Sequence, residues 1–250
     1  MKTFQICGRS NSGKTTTVTS IIEQLNKQNY RVASIKSIHY RNFKIDSPGT
    51  DSFKHAEAGA NPAIAAGLHE TDFLYQQSMN FPDIARKISA DWLVVEGFNE
   101  FPLPKIACAI SVEELENIVD KRTFAISGVI SQKLQEYKKI PVLDAQKPEH
   151  ILKLMTLIHE KTFPLLPYVD DACCRLCGLT CAKLVEAIIQ GEKKYEDCII
   201  GQTNVKLRIG GKDIPIVPFV QSIIRNTITG IVSELSGWEE NKKIELTINQ

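Results

Sequence analysis

Residues 8–15 read Gly8-Arg9-Ser10-Asn11-Ser12-Gly13-Lys14-Thr15 and match the pattern G-x-x-x-x-G-K-[ST]. An apolar run from Phe4 to Cys7 precedes them and suits a short buried strand. After them, apolar side chains recur at the spacing of one helix face: Val18, Ile21, Ile22 and Leu25. A strand, a glycine-containing loop and a helix in this order predict a phosphate-binding loop.

The residue types in this loop suit the chemistry of phosphate. Gly8 and Gly13 let the backbone curl so that its N–H groups point at phosphate oxygens. Lys14 brings an ammonium group to the terminal phosphates, and the Thr15 hydroxyl is a ligand for Mg²⁺. The residues predicted to bind the nucleotide are Gly8, Asn11, Ser12, Gly13, Lys14, Thr15 and Thr16. The sequence contains no [NT]-K-x-D motif, so these residues predict a nucleoside triphosphate without choosing its base.

A second element of the site is expected at the end of a neighbouring strand. The run Trp92-Leu93-Val94-Val95 suits a strand buried on both faces, and Glu96 follows it directly. Ligands of open α/β sheets bind beyond the carboxyl ends of the strands. Glu96 is therefore predicted to hold Mg²⁺ together with Thr15, and Lys14 and Glu96 are the predicted catalytic residues. The alternative is that Glu96 merely ends the strand at a solvated edge.

The fold class predicted from the pattern is α/β, a P-loop NTPase domain with a mostly parallel sheet over residues 1–165. The predicted strands are 4–7, 31–35, 91–96, 106–110 and 124–130. A helix is expected over 51–60, with Thr50 or Asp51 as its cap. Another is expected over 148–160, with its apolar side formed by Ile151, Leu152, Met155 and Ile158.

The remaining residues differ in character. A four-cysteine metal-binding segment is predicted over 166–203 and a small α+β unit over 204–250. A helix is expected over 182–190, and Gly210-Gly211 predicts a hairpin turn. Pro218 begins a predicted amphipathic helix whose inward residues are Phe219, Val220, Ile223, Ile224, Ile231 and Leu235. A last strand is predicted from the alternation of Ile244, Leu246 and Ile248.

Composition narrows the class of ligand. The chain has 30 Lys plus Arg and 29 Asp plus Glu among 250 residues, and its formal net charge is +1. A nucleic-acid-binding protein is usually far more basic, so a small molecule or a protein is the expected ligand. The apolar run at Met1–Cys7 is too short for a signal peptide, and the most apolar late stretch, Pro218–Leu235, contains polar and charged residues, so no membrane span is expected. These features predict a cytoplasmic protein.

Several sequence features occur together in the order known from one family. After the phosphate loop come Ile35-Lys36, His39, the loop Asp46–Ser52, Ala58-Gly59-Ala60 and Val94–Phe98. Together they resemble the MobB family of molybdopterin-guanine dinucleotide biosynthesis adapter proteins over the first two-thirds of the chain. Where the family often has His, this sequence has Ser37, and Tyr40 replaces a second His beside His39.

The resemblance implies a dimeric protein that binds GTP with Mg²⁺ and hydrolyses it weakly. Such proteins assist the attachment of a nucleotide during maturation of molybdenum or tungsten cofactor. The implied partner is a molybdopterin nucleotidyltransferase or another molybdoenzyme maturation protein. Longer archaeal-type members carry a C-terminal extension like the one in this chain.

Five of the seven cysteines lie close together and suggest a metal site. The spacing is Cys174-x2-Cys177-x3-Cys181, followed by sixteen residues and Cys198, with Cys173 as an alternative first ligand. This pattern resembles the four-cysteine [4Fe–4S] modules of corrinoid iron–sulfur proteins. Four cysteines also suit tetrahedral zinc, and thiols without metal are a third possibility. Cys7 and Cys108 lie in predicted strands, where free cysteine behaves as a core residue.

Two other functions are compatible with these motifs. One is an iron–sulfur redox or metal-delivery protein in which nucleotide binding gates the transfer. The other is a small-molecule kinase, but no carboxylate that would activate an acceptor stands out. Hydrolysis by the chain alone is expected to be slow, because neither an arginine finger nor a water-orienting glutamine is evident. Arg9 is either a phosphate contact or a solvated loop residue.

Overall fold

Strands and helices alternate through the first two-thirds of the chain. The computed structural model describes residues 1–167, 176–200, 205–210, 212–214, 216–240 and 242–248. The chain divides into two units, Met1–Leu165 and Leu166–Gln250. The elements of the first unit are β1 (Lys2–Cys7), α1 (Lys14–Lys27), β2 (Val32–Lys36), α2 (Asp51–Glu57), β3 (Ala63–Ala66), β4 (Thr71–Leu74), α3 (Phe81–Arg86), β5 (Trp92–Glu96), β6 (Lys105–Cys108), α4 (Val112–Ile118), β7 (Thr123–Ser127), β8 (Glu136–Tyr137), β9 (Ile140–Pro141) and α5 (Pro148–Lys161).

The core of this unit is a five-stranded parallel sheet in the order β2-β5-β1-β6-β7. The central strand β1 lies between β5 and β6, and residues 3–7 of β1 are all buried. β5 is buried from Trp92 to Val95, as its continuous apolar run predicts for a strand covered on both faces. The α/β class and the mostly parallel sheet are thus confirmed.

One further segment extends the sheet beyond β7. Val142 pairs in parallel with Ile126, and the Leu143 N–H donates to the Ile126 carbonyl at 2.8 Å. The side chains of Val142 and Leu143 are buried, so the segment belongs to the core. The carboxyl ends of the parallel strands therefore form one continuous edge from β2 to residue 143.

Two predictions in this unit need correction. The expected strand 124–130 ends at Ser127, because Gly128 turns the chain into a 3₁₀ turn at Val129–Gln132. On α5, Leu152 is 62% exposed, and the buried residues are Ile151, Leu154, Met155 and Ile158. These four follow the i, i+3, i+4, i+7 spacing of one helix face, which Leu152 does not share. The hairpin formed by β3 and β4 was not predicted at all.

The second unit contains α6 (Cys181–Ile189), β10 (Leu207–Ile209), β11 (Lys212–Ile214) and α7 (Pro218–Val232). β10 and β11 form the antiparallel hairpin predicted around Gly210. In the described part of this unit, residues 242–248 form no strand, so the predicted last strand is wrong. Alternating side chains cannot form a strand without a partner for the backbone hydrogen bonds.

The predicted inward face of α7 is also wrong. Five of its six residues are exposed in the chain: Phe219, Val220, Ile223, Ile231 and Leu235. A helix of 15 residues is about 22 Å long, whereas the three-residue strands of the hairpin are about 10 Å long. An amphipathic pattern predicts which side of a helix is apolar. That side is buried only where another surface is large enough to cover it. No helix within the described residues is long and apolar enough to cross a membrane.

Candidate nucleotide-binding site

The predicted phosphate loop connects the central strand β1 to α1. Gly13 precedes the helix with φ 89° and ψ 13°, and Asn11 has φ 62°. Both conformations are left-handed, which glycine adopts freely and asparagine tolerates better than most residues. The chain can therefore turn sharply twice between Cys7 and Lys14, as a loop that curls around an anion requires.

The loop is packed tightly against the ends of β6 and β7. A Cβ at Gly8 would lie 2.0 Å from the Cys108 carbonyl oxygen, so no larger residue fits there. A Cβ at Gly128 would lie 2.0 Å from the Ser12 carbonyl oxygen. The same Ser12 carbonyl accepts a hydrogen bond from the Val129 N–H at 3.1 Å. The shape of the loop therefore depends on glycines in two distant segments of the chain.

The start of α1 is rich in unused hydrogen-bond donors. Among the described residues, the backbone N–H groups of Gly13, Lys14, Thr15 and Thr16 have no protein acceptor. No side chain caps this end of the helix, and its first turn contains no acidic residue. The partial positive charge of the helix terminus is therefore not neutralised by the protein, and the site suits an anion such as phosphate.

The side chains of the loop divide into two groups. Lys14 donates from Nζ to the Arg9 carbonyl at 2.6 Å, which holds the ammonium group over the loop. Thr15 and Thr16 are exposed, and so is Arg9. The Ser12 side chain is buried within the loop, and its N–H donates to the Arg9 carbonyl at 3.4 Å. Ser12 thus shapes the loop from inside, whereas Lys14 and Thr15 remain available to a ligand.

A buried polar network beneath the loop was missed by the sequence analysis. The Thr17 hydroxyl donates to the Gly13 carbonyl at 3.0 Å and lies 3.2 Å from the Ser127 hydroxyl. The Cys108 thiol is 3.6 Å from the same Thr17 oxygen. Burial raises the pKa of Cys108 to about 12 and that of Cys7 to about 11, so both thiols stay protonated at neutral pH. The only signal in the sequence was Ser127-Gly128 at the end of an apolar run.

Glu96 lies at the carboxyl end of β5, beside the central strand. It is in register with Ile6, two residues before Gly8, and with Lys36 on the other side. Its side chain is only 13% exposed, and its Oε1 is 3.4 Å from the Lys36 Nζ. A Cβ at Gly97 would lie 2.6 Å from the Ser37 Cβ, so the chain leaves the strand through a crowded turn. Glu96 is the last residue of β5, and the phosphate loop follows the adjacent parallel strand β1, so both lie at the same edge of the sheet.

The loop Asp46–Ser52 forms a turn and a helix cap. The Thr50 hydroxyl accepts a hydrogen bond from the Phe53 N–H at 3.2 Å and donates to Asp46 Oδ1 at 2.7 Å. The hydrogen bond from Thr50 lowers the pKa of Asp46 below its usual range. Thr50 is therefore the N-cap of α2, one of the two caps predicted from the sequence.

Three of the predicted metal-binding cysteines are described, and Cys173 and Cys174 lie outside the described residues. Cys177 precedes α6 and Cys181 begins it, and both are half-buried, while Cys198 is buried. Within the described ranges, no three His, Cys, Asp or Glu side chains are grouped as metal ligands. The structure therefore does not bring Cys177, Cys181 and Cys198 together around a metal.

The sheet order, the loop after the central strand and the donors at the start of α1 define an α/β protein of the P-loop class. A family model described as "MobB: Molybdopterin guanine dinucleotide synthesis protein B" matches residues 3–132, more than half of the 250 residues. The chain belongs to the MobB family.

Curated relatives show how far the similarity extends. A putative molybdopterin-guanine dinucleotide biosynthesis adapter protein of Methanocaldococcus jannaschii is 27% identical over 100% of this chain and 98% of its own length. The adapter protein of Haemophilus influenzae is 35% identical over 40% of this chain and 59% of its own length. A probable adapter protein of Bacillus subtilis is 27% identical over 58% of this chain and 86% of its own length. The archaeal relative thus has a counterpart of nearly the whole chain, including its second unit.

Solved structures show the same fold. The crystal structure of Bacillus subtilis MobB has a TM-score of 0.54 and 23% identity, and the match covers 63% of this chain and 98% of that one. A second structure of Bacillus subtilis MobB has a TM-score of 0.50, 22% identity and 63% coverage of this chain, 97% of its own.

Proposed function

We propose that this chain is a GTP-binding adapter protein in molybdopterin guanine dinucleotide biosynthesis. The observation that carries the proposal is the set of unpaired N–H groups at the start of α1, in a chain that belongs to the MobB family. The curated relatives are described as adapter proteins of this biosynthesis. Guanine is the base implied by the resemblance to the family.

Each residue of the proposed site has a separate role in binding GTP. The N–H groups of Gly13 to Thr16 and the Lys14 ammonium bind the phosphate oxygens. Thr15 and Glu96 would hold Mg²⁺, which would supply positive charge beside the terminal phosphates. Lys36 offsets the negative charge of the Glu96 carboxylate in the protein as it stands. Slow hydrolysis follows from the lack of a group in this set that positions water.

Calorimetric titration with GTP and Mg²⁺ tests the binding site. The wild-type chain should bind GTP with micromolar affinity, and Lys14→Ala should weaken binding about 100-fold or more because the charge-assisted bonds are lost. Lys27→Ala is the matched control, since Lys27 is exposed in the last turn of the same helix. A wild-type chain without GTP affinity, or one that Lys14→Ala leaves unchanged, contradicts the proposal.

The adapter role is tested in a reconstituted reaction. A molybdopterin nucleotidyltransferase should attach GMP to molybdopterin faster when the chain is present, and Lys14→Ala should remove the stimulation. Equal rates with and without the chain would contradict the role as adapter while leaving nucleotide binding intact.

We also propose that the chain is a homodimer, as the resemblance to the family implies. Ile64 of β3 and Phe73 of β4 are directly opposite in register, and both are more than half exposed, at 52% and 59%. Leu68 in the connecting turn is 97% exposed. An exposed apolar group of this kind favours a protein contact. Light scattering should give a molar mass of twice 28.0 kDa for the wild-type chain. Phe73→Ser should lower the measured mass toward that of the monomer, whereas Leu152→Ser should leave the mass unchanged.

We retain the cysteine metal site as a proposal supported by the spacing of Cys174, Cys177, Cys181 and Cys198 in the sequence. The described cysteines are not arranged as ligands, so no step of the mechanism depends on a metal there. The absorption spectrum of protein purified without oxygen decides its nature. A broad band near about 400 nm indicates [4Fe–4S], and bound zinc without that band indicates a structural site. Protein that contains neither metal contradicts the proposal.

A further inference from the structure

We infer that Asp144, at the carboxyl end of the outermost parallel segment of the sheet, reads the guanine base. The inference rests on the proposed function, because it takes the phosphate loop as the site of the triphosphate. It names the residue that gives the site its base specificity, a role for which the chain has no [NT]-K-x-D motif.

The positions of Lys14 and Glu96 define the direction in which a bound nucleotide points. Because Glu96 is proposed to hold Mg²⁺ against the terminal phosphates, these phosphates would lie toward the strand that carries Glu96. That strand, β5, lies on one side of β1, whereas β6 and β7 lie on the other side. The nucleoside therefore extends over the ends of β6, β7 and the segment 142–143. Three strand spacings separate β1 from this segment, about 14 Å, which is within the reach of an extended nucleoside triphosphate.

Asp144 is held rigidly at this edge. Its N–H donates to His150 Nδ1 at 3.1 Å, and its carbonyl accepts from the Lys147 N–H at 3.0 Å. One carboxylate oxygen, Oδ1, accepts from the Gln146 N–H at 3.0 Å. The other oxygen, Oδ2, has no hydrogen-bond or ion-pair partner among the described residues. Asp144 is half-buried, so this remaining acceptor is partly accessible on a backbone that hydrogen bonds hold in place.

Two other carboxylates that follow β6, those of Glu113 and Glu114, act at the start of α4. Glu114 accepts from the Ile110 N–H at 2.9 Å. Hydrogen bonds from Ser111 and from the Glu113 backbone lower the pKa of Glu113. Both residues belong to the first turn of α4, where they stabilise the helix start. Asp144 differs from them in position, because it directly follows the parallel segment 142–143 of the sheet, and its Oδ2 has no partner within the part of the chain that the structure describes.

The chemistry of a free carboxylate oxygen suits guanine. Guanine presents N1–H and the N2 amino group as donors on one edge, and a carboxylate only accepts. Adenine presents an acceptor at N1, which a carboxylate repels. Asp144→Asn keeps an oxygen for the Gln146 N–H and places an NH₂ donor where Oδ2 was. That donor opposes the N2 amino group of guanine but suits xanthine, which has an oxygen at this position.

The experiment compares GTP, XTP and ATP as ligands of the full chain with Mg²⁺. Wild type should prefer GTP to both others. Asp144→Asn should bind GTP about 10- to 100-fold more weakly and should bind XTP more tightly than wild type does. Glu149→Gln is the matched control, because Glu149 is an exposed carboxylate in the first turn of α5 and should leave the preference unchanged. Thermal melting verifies that both variants are folded.

The outcomes separate this inference from the proposed function. If wild type prefers GTP and Asp144→Asn keeps the same preference, the base is read elsewhere and the inference is wrong while the proposed function stands. If wild type binds the three nucleotides equally, Asp144 does not read the base. If wild type binds none of them, the proposed function fails as well. A preference transferred from GTP to XTP supports the inference, since a merely structural role for Asp144 would weaken all three ligands alike.

Discussion

Gly128 and Gly8 show how single residues shape the phosphate loop from outside it. Gly128 has φ 84° and ψ −159°, a combination that other residues hardly adopt. Its missing side chain leaves room for the Ser12 carbonyl, and Gly8 leaves room for the Cys108 carbonyl in the same way. The loop therefore fits onto the ends of β6 and β7 only because two backbone segments can approach each other without a Cβ between them.

Gly128→Ala should destabilise the protein by about 3 kcal/mol or more, because it adds a backbone clash to an unfavourable conformation. Gly59→Ala is the control, since Gly59 has a similar φ of +105° but open space around its Cβ position. Gly59→Ala should lower the free energy of unfolding by about 1–2 kcal/mol, because only the left-handed conformation opposes the added Cβ. Urea unfolding measures both values, and GTP affinity should fall only for Gly128→Ala. Equal destabilisation by the two changes would contradict the packing described for the loop.

Lys105 is a second residue whose role depends on its surroundings, because its side chain is only 6% exposed. Its Nζ donates to Asp120 Oδ2 at 2.7 Å and to the Ile118 carbonyl at 2.5 Å. Burial would raise the pKa of Asp120, but hydrogen bonds from Arg122 and Lys105 outweigh it and leave the pKa below its usual range. The pair thus fastens the start of β6 to the end of α4.

Stability should fall in acid as Asp120 becomes protonated. A carboxyl whose pKa is lowered in the folded state stabilises it fully above the unfolded pKa, about 3.9, and loses that effect as the pH falls through the folded pKa. Asp120→Asn should be less stable than wild type at pH 7, and the difference should shrink below about pH 4. Because Asp120 is 39% exposed, solvent screens part of the effect. Urea unfolding at several pH values measures it, and a difference that does not change with pH would contradict this assignment.

At the scale of elements, α5 shows what the helical period does and does not predict. The helix begins at Pro148 and presents Ile151, Leu154, Met155 and Ile158 to the core. Leu152 lies about 100° around the helix from Ile151 and off this face, although it is as apolar as Leu154. An apolar residue can therefore lie on the solvent side of a helix, and the period separates the two leucines only once the buried face is known.

Leu154→Ala should destabilise the first unit by about 2–5 kcal/mol, because Leu154 is fully buried and its loss leaves a cavity. Leu152→Ala is the same change two residues away at a side chain that is 62% exposed, and it should alter stability by less than about 0.5 kcal/mol. Urea unfolding of both variants provides the comparison. Similar losses for the two would mean that α5 packs through a different face.

For the whole molecule, the first unit contains every residue proposed to bind nucleotide. Its end is attached to its beginning, since Lys2 pairs with Pro164 and the Leu165 N–H donates to the Met1 carbonyl at 3.4 Å. The parallel sheet is complete before residue 144. The similarity to the archaeal relative nevertheless spans both units. Nucleotide binding is thus a property expected of the first unit by itself.

A fragment of residues 1–167 should fold cooperatively and bind GTP within about threefold of the full chain, because a unit with its own core can fold alone. Circular dichroism during heating and calorimetric titration test the two statements. The full chain and the full chain with Lys14→Ala are the controls. A fragment that is unfolded, or folded without GTP affinity, would show that the second unit is needed for the site.

The sequence by itself determined the class of this protein and the position of its phosphate loop, because both depend on spacings within a few residues of each other. The glycine spacing, the apolar period of α1 and the run ending at Glu96 are local features that survive in any arrangement of the strands. Together with Ile35-Lys36, His39, the loop Asp46–Ser52 and Ala58-Gly59-Ala60 they indicated the MobB family, which the match over residues 3–132 confirms.

Only the tertiary structure decided which residues meet around that loop. Gly128, Ser127 and Thr17 come together because β6 and β7 follow β1 in the sheet, and Lys36 meets Glu96 because β2 pairs with β5. Strand order depends on contacts between residues far apart in the chain, and no short spacing records it. For the same reason the sequence predicted an apolar face on α7 correctly as a pattern but wrongly as a buried surface, since burial depends on what else folds against it.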